Sequence, residues 1–81
     1  MAPQITIRQA TSDDAFALRR LAALDDRPVL RGDVLVAEQA GDIRAALSLE
    51  NGRSVANPFA ATAELIEMLR MHSRYAQTLA A

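Results

Sequence analysis

The chain has no cysteine, no lysine and no tryptophan, and only three aromatic residues, Phe16, Phe59 and Tyr75, among 81. Without cysteine, disulfides, thiolate nucleophiles and zinc-thiolate sites are excluded together. Every basic residue is arginine, a usage that reads as codon bias from a GC-rich bacterial genome. The formal net charge is −1 and the pI about 5.7, so the chain carries no electrostatic footprint for nucleic acid. No apolar run approaches the roughly 18 residues of a membrane span. Met1-Ala2-Pro3-Gln4 lacks the basic and apolar regions of a secretory signal, so a soluble cytoplasmic protein is the expectation.

What is present is small and rich in alanine. Eighty-one residues make one domain, 1–81, near the lower limit for a core that is stable alone. The hydrophobic share is 51%, but alanine supplies much of it and buries little area per residue. A modest core that benefits from a partner is expected.

Gln4 to Gln9 alternates, with Ile5 and Ile7 on one face and Thr6 and Arg8 on the other, as in a half-buried strand. Thr11-Ser12-Asp13-Asp14 is a helix start: a hydroxyl can accept an orphan amide hydrogen, and the acids complement the positive dipole end. The first helix is predicted to reach about Asp25, with Ala15, Phe16, Leu18, Leu21 and Ala22 turned inward. Pro28 ends any continuation.

From Asp33 the period changes to strands, Val34 to Gln39 and Ile43 to Glu50, joined by a turn at Ala40-Gly41-Asp42. Ile43, Ala45, Leu47 and Leu49 are expected on one face, with Arg44, Ala46, Ser48 and Glu50 on the other. Asn51-Gly52 suits a type I′ turn, because both residues tolerate positive φ. A short strand, Arg53 to Ala56, then lies at a sheet edge, and a last helix begins near Thr62. The expected class is α+β, order β-α-β-β-β-α, an antiparallel meander of four strands with two helices.

That order resembles the N-terminal half of the GNAT N-acetyltransferase fold. Ile5 to Ala15 looks like that family's first strand running into its first helix. Val34-Leu35-Val36-Ala37-Glu38 and Gly41 to Leu47 look like its second and third strands. The resemblance implies an acetyl-CoA site after the fourth strand, at Val55, Ala61, Thr62 and Ala63. There the family's glycine-rich phosphate loop is replaced by Phe59-Ala60-Ala61-Thr62, and Glu64 would repel a phosphate. The carboxylate base often found on the family's fourth strand has no counterpart in Arg53-Ser54-Val55-Ala56. The later segment that supplies its tyrosine acid also has none, and Tyr75 sits on a different element. The reading is therefore of a truncated, degenerate member with no catalytic residues, no metal and no cofactor.

His72 is the one histidine, on the stripe Leu65, Leu69, His72, Ala76, Leu79. No carboxylate stands at helical spacing to orient it, so a packed histidine is expected rather than a catalyst. Met68, Met71 and Tyr75 form a second stripe, either further core or a contact surface. With so small a sheet, the contact surface is preferred. Arg19, Arg20, Arg27 and Arg31 gather near the end of the first helix, interleaved with Asp25, Asp26 and Asp33, and read as a solvated face. Glu64, Glu67, Arg70 and Arg74 read as the outer face of the last helix.

The preferred function is a non-catalytic GNAT-like domain acting by protein association, as a homodimer or an accessory subunit. Its contact surface is expected at Ser54, Val55, Ala56, Met68, Met71 and Tyr75, with neither nucleic acid nor membrane as partner. The alternative is an acetyl-CoA-dependent N-acetyltransferase, or an acyl-CoA-binding remnant, whose site a second subunit completes.

Overall fold

A computed structural model describes residues 4–60 and 62–80, with the backbone alone for 76–80. The alternation at the start forms β1 (Ile5–Gln9), followed by one 3-10 turn (Ser12–Asp14) and α1 (Ala15–Leu24). Then come β2 (Val34–Gln39), β3 (Asp42–Ser48), β4 (Ser54–Ala56) and α2 (Ala63–Ala80). The four strands make one antiparallel sheet in the order β1-β2-β3-β4, and the class is α+β.

The helices cover opposite faces of the sheet. On one face Leu21 and Ala22 of α1 meet Val34, Val36, Ala46 and Val55. On the other, Leu65 and Leu69 of α2 meet Ala37, Ala45, Leu47 and Ala56. Neighbouring residues of a strand point to opposite faces, so a sheet covered on both sides buries its central strands completely. Val36, Ala37, Ala45 and Ala46 are all fully buried for this reason. Alanine is useful here, since its small side chain lets both helices approach the sheet.

β3 departs from the expected alternation. Its pairing with β2 slips by one residue after Ala37, so that Ala37 faces Ala45 while Glu38 faces Ile43. Arg44 is the extra residue of a bulge, and a one-residue slip moves a side chain to the other face. Ile43 therefore packs on the α1 side, whereas Ala45 and Leu47 lie on the α2 side. β3 also ends at Ser48, which leaves Leu49 and Glu50 in the following loop.

The turns differ too. At Ala40-Gly41 both residues have positive φ, 56° and 83°, as a two-residue type I′ hairpin requires. Of Asn51 and Gly52 only Gly52 does, at 73°, so no type I′ turn forms there. Side chains organise that wider loop instead. Ser48 Oγ accepts the amides of Glu50 and Asn51 at 3.2 and 3.4 Å, and Asn51 Oδ1 accepts that of Arg53 at 2.9 Å.

An alanine at φ 56° is strained by its Cβ. Ala40→Gly is therefore expected to stabilise the fold by about 1 kcal/mol. Urea denaturation should show a higher midpoint at unchanged slope. A lower midpoint would mean that the Ala40 methyl contributes more than its backbone strain costs.

α1 starts from a charged cluster. Asp14 closes a capping box with Thr11, accepting its amide at 2.7 Å. It also accepts two bonds from the Arg8 guanidinium, at 2.8 and 2.9 Å. Arg8 reaches across to Glu38 as well, tying the helix start to both β1 and β2. The inward stripe is narrower than expected: Leu18, Leu21 and Ala22 face the sheet, but Ala15 is exposed and Phe16 is 70% exposed. At about 100° per residue, Phe16 lies opposite the midpoint of the other three. Asp26, at φ 52°, ends the helix, with the amides of Asp26 and Arg27 returning to the carbonyls of Ala23 and Ala22. This is a Schellman termination, completed before Pro28.

α2 begins where expected, the Thr62 carbonyl accepting the Ile66 amide at 3.0 Å. His72 is not packed as expected. It is exposed, and its Nδ1 lies 3.2 Å from the Met68 carbonyl one turn back. The 18 residues of α2 span about 27 Å, longer than the six-residue β2 at roughly 20 Å, so its last turns run past the sheet. Ala76 and Leu79, on the same stripe, have side chains outside the described residues.

Candidate functional site

The open edge of β4 is where backbone chemistry remains available. Ser48 donates its amide to the Arg53 carbonyl and Asn57 to the Arg44 carbonyl, at 2.8 and 2.9 Å. Antiparallel bonding alternates, so Val55 bonds inward to Ala46, while Ser54 and Ala56 direct their amides and carbonyls away from β3. One of these outward groups is taken: the Asp25 carboxylate accepts the Ala56 amide at 3.1 Å. Among the described residues, both polar groups of Ser54 and the Ala56 carbonyl are left without a partner.

This geometry revises the expected contact residues. Val55 is 2% exposed, and its side chain belongs to the α1-side core. Its polar backbone faces β3, so it adds no hydrogen-bonding group to an outward contact, although the residue itself lines the groove outside β4. Ala56 is buried as well and offers only its carbonyl. Ser54 is the accessible residue of the three. On α2 the expected stripe divides: Met68 packs on the core, while Met71 and Tyr75 are 63% and 67% exposed.

Outside β4 lies a groove of about 570 Å³. One wall is the loop after α1, from Arg27 to Arg31, and the other is Ile66 and Arg70 of α2, with Asn51, Gly52 and Arg53 closing one end. Ser48 holds this arrangement together. It is fully buried, and its hydroxyl donates to the Arg31 carbonyl at 2.8 Å while the Leu49 amide donates to Asp33 at 2.8 Å. Gly32, at φ 73°, passes so close to Glu50 that any Cβ would collide with the Glu50 carboxylate.

The groove is positively charged in a chain that is slightly negative overall. Among the described residues, Arg27, Arg31, Arg53 and Arg70 line it, against Asp25 as its one carboxylate. Asp25 is already engaged by the Ala56 amide and by Arg27 Nε at 3.4 Å. Arg70 donates to the Gly52 carbonyl at 3.3 Å. Such an arrangement can hold negatively charged groups beside a polar backbone edge.

The arginines expected together near the end of α1 are therefore split. Arg27 and Arg31 enter the groove, whereas Arg20 lines a second depression of about 250 Å³ with Phe16 and Leu24. Nothing in the spacing of the chain groups Arg53 and Arg70 with Arg27 and Arg31. The one local signal is the four-residue spacing of Ile66 and Arg70, which puts both on one side of α2 beside the Leu65–Leu69 stripe. Of the positions the resemblance suggests for a cofactor, Val55 lines the groove, whereas Thr62, half-buried, and Ala63, exposed, do not. Ala61 lies outside the described residues.

Between β4 and α2, Asn57 Oδ1 accepts the Phe59 amide at 2.8 Å, and the Asn57 carbonyl accepts that of Ala60 at 3.2 Å. This tight turn at Pro58 leaves Phe59 85% exposed. Among the described residues no group of three or more His, Asp or Glu side chains is placed to hold a metal ion, and no helix is long and apolar enough to cross a membrane. No family model matches this chain, and no curated protein or solved structure matches it.

Proposed function

We propose that this chain is a non-catalytic, GNAT-like domain that acts by protein association, using the edge of β4 and the exposed side of α2. The observation that carries this reading is the outward-facing backbone of Ser54 and Ala56 beside a groove. An unpaired strand edge is a template for another chain. Met71 and Tyr75 add apolar surface on the neighbouring helix, the kind of surface that self-association buries. The expected form is a homodimer through α2, with β4 left for a protein partner.

Light scattering with mass determination tests the self-association. The wild type is expected at the dimer mass, and Met71→Glu with Tyr75→Glu at the monomer mass. Both side chains are exposed, so the double variant should lose no more than about 0.5 kcal/mol of intrinsic stability. A wild type that stays monomeric at millimolar concentration would overturn the homodimer.

The alternative, an acetyl-CoA site completed by a second subunit, draws support from the arginine-lined groove next to β4. The preferred reading expects about 1 mM acetyl-CoA to stabilise the chain by less than about 0.4 kcal/mol in a thermal-shift titration, whereas a low-micromolar site would give about 4 kcal/mol. The larger shift would establish the alternative.

A further inference from the structure

The association reading leaves open what kind of chain fits the edge of β4, and the charge of the groove answers that question. We propose, resting on that reading, that the groove binds an extended acidic segment of a partner protein. The segment pairs with the outer edge of β4 as an added strand and places its carboxylates against Arg27, Arg31, Arg53 and Arg70.

Three observations converge. The Ser54 amide and carbonyl and the Ala56 carbonyl all point into the groove, and they match the spacing of alternate residues in an added strand. Four arginines line the groove beside that edge, and the one carboxylate lining it among the described residues is already bonded. Arg31 and Arg53 have no ion pair among the described residues, so their forks are available for bidentate contact with carboxylates.

The same charge argues against a second copy at this edge. A two-fold strand pairing sets each groove against an identical one, bringing arginines onto arginines where like charges directly opposite are destabilising. An acidic strand has the opposite effect. Asp25 also sets a limit on register: by occupying the Ala56 amide it blocks one position, so the added strand is held mainly at Ser54.

Fluorescence polarisation with labelled peptides tests this. The probe is a capped ten-residue peptide alternating glutamate with valine, compared with its glutamine counterpart and with an acidic version N-methylated at alternate backbone amides. The acidic peptide is expected to bind at least about tenfold more tightly than the glutamine peptide, and to weaken between about 50 mM and about 500 mM salt. The N-methylated peptide, equal in charge but unable to pair, is expected to lose at least about tenfold. Arg31→Ala with Arg53→Ala should weaken binding about tenfold at an unchanged melting temperature. Ser54→Pro should abolish it, since the lost amide faces outward and no bond to β3 is removed.

Equal binding of the acidic and glutamine peptides overturns the proposal, as does equal binding of the N-methylated form, which would show charge attraction without strand pairing. Acetyl-CoA binding in the groove without peptide binding overturns it too. The mass measurement keeps the two readings apart. A dimer that ignores every peptide ends this inference and leaves association standing, whereas a monomer that ignores every peptide ends both.

Discussion

Leu69→Ala is expected to cost about 2–5 kcal/mol and to lower the melting temperature by more than about 10 °C. Leu69 is fully buried where α2 crosses the sheet, and it shares its cluster with Leu47, Leu65 and three alanines. Those alanines cannot move in to fill a cavity, because the backbones of β2, β3 and β4 carry them at fixed positions. Little relaxation is available, and the destabilisation should fall in the upper half of the range. Glu67→Ala, two residues earlier on the same helix, exposed and outside the contact formed by Met71 and Tyr75, is expected within about 0.5 kcal/mol of wild type. The pair of variants, followed by thermal denaturation, tests the placement of α2. Similar losses from both would mean that the helix packs on a different face.

Asp14→Asn is expected to cost about 1.5–3 kcal/mol at neutral pH, the contribution typical of hydrogen bonds to a charged group. The paired guanidinium is about one-third open to solvent, with 35% of the Arg8 side chain exposed against 11% for Asp14, which favours the lower part of that range. The hydrogen bonds from Arg8, and then that from the Thr11 amide, hold the Asp14 carboxyl well below the usual carboxylate range. In the unfolded chain that carboxyl titrates near its ordinary value of about 4. As pH falls, the unfolded state therefore takes up the proton first, and the folded state loses its advantage. The stabilisation is complete above about pH 4 and declines as pH drops toward the depressed folded value. Asp14→Asn should show a flatter stability profile in that acidic window, measurable by urea denaturation at a series of pH values. Parallel acid profiles for the variant and wild type would remove this cluster as a source of acid sensitivity.

The Asp14 cluster also shows how far local reading extends. Thr11-Ser12-Asp13-Asp14 marks a helix start on residue type alone, because capping acts within three residues along the chain. That Arg8 would bind Asp14 and Glu38 together depends on β1 pairing with β2, with Thr6 opposite Glu38 and Arg8 opposite Val36. Phe16 failed as a core residue for a related reason. Its type suits a core, but the direction in which a helix faces is set by what lies beneath it. His72 failed on length: its spacing from Leu65 is sound, yet the sheet ends before that turn of α2 is reached.

The candidate site was less legible than the fold. Two of its four arginines, Arg27 and Arg31, could be grouped from the sequence by proximity in the chain. Arg53 and Arg70 join them only through the position of β4 and the angle of α2. The closure of the Ala56 amide by Asp25 spans 31 residues, and no periodicity reports it.

By itself, the sequence determined the order of strands and helices, the half-buried face of β1 and the start of each helix. Each of these follows from interactions between residues at most a few positions apart. Only the tertiary structure decided the bulge that sends Ile43 to the α1 side, the exchange of the type I′ turn from Asn51-Gly52 to Ala40-Gly41, and the gathering of arginines around an open strand edge. The physical reason is that strand register is settled by pairing across the sheet, and a slip of one residue reverses which side chains meet without altering any local preference.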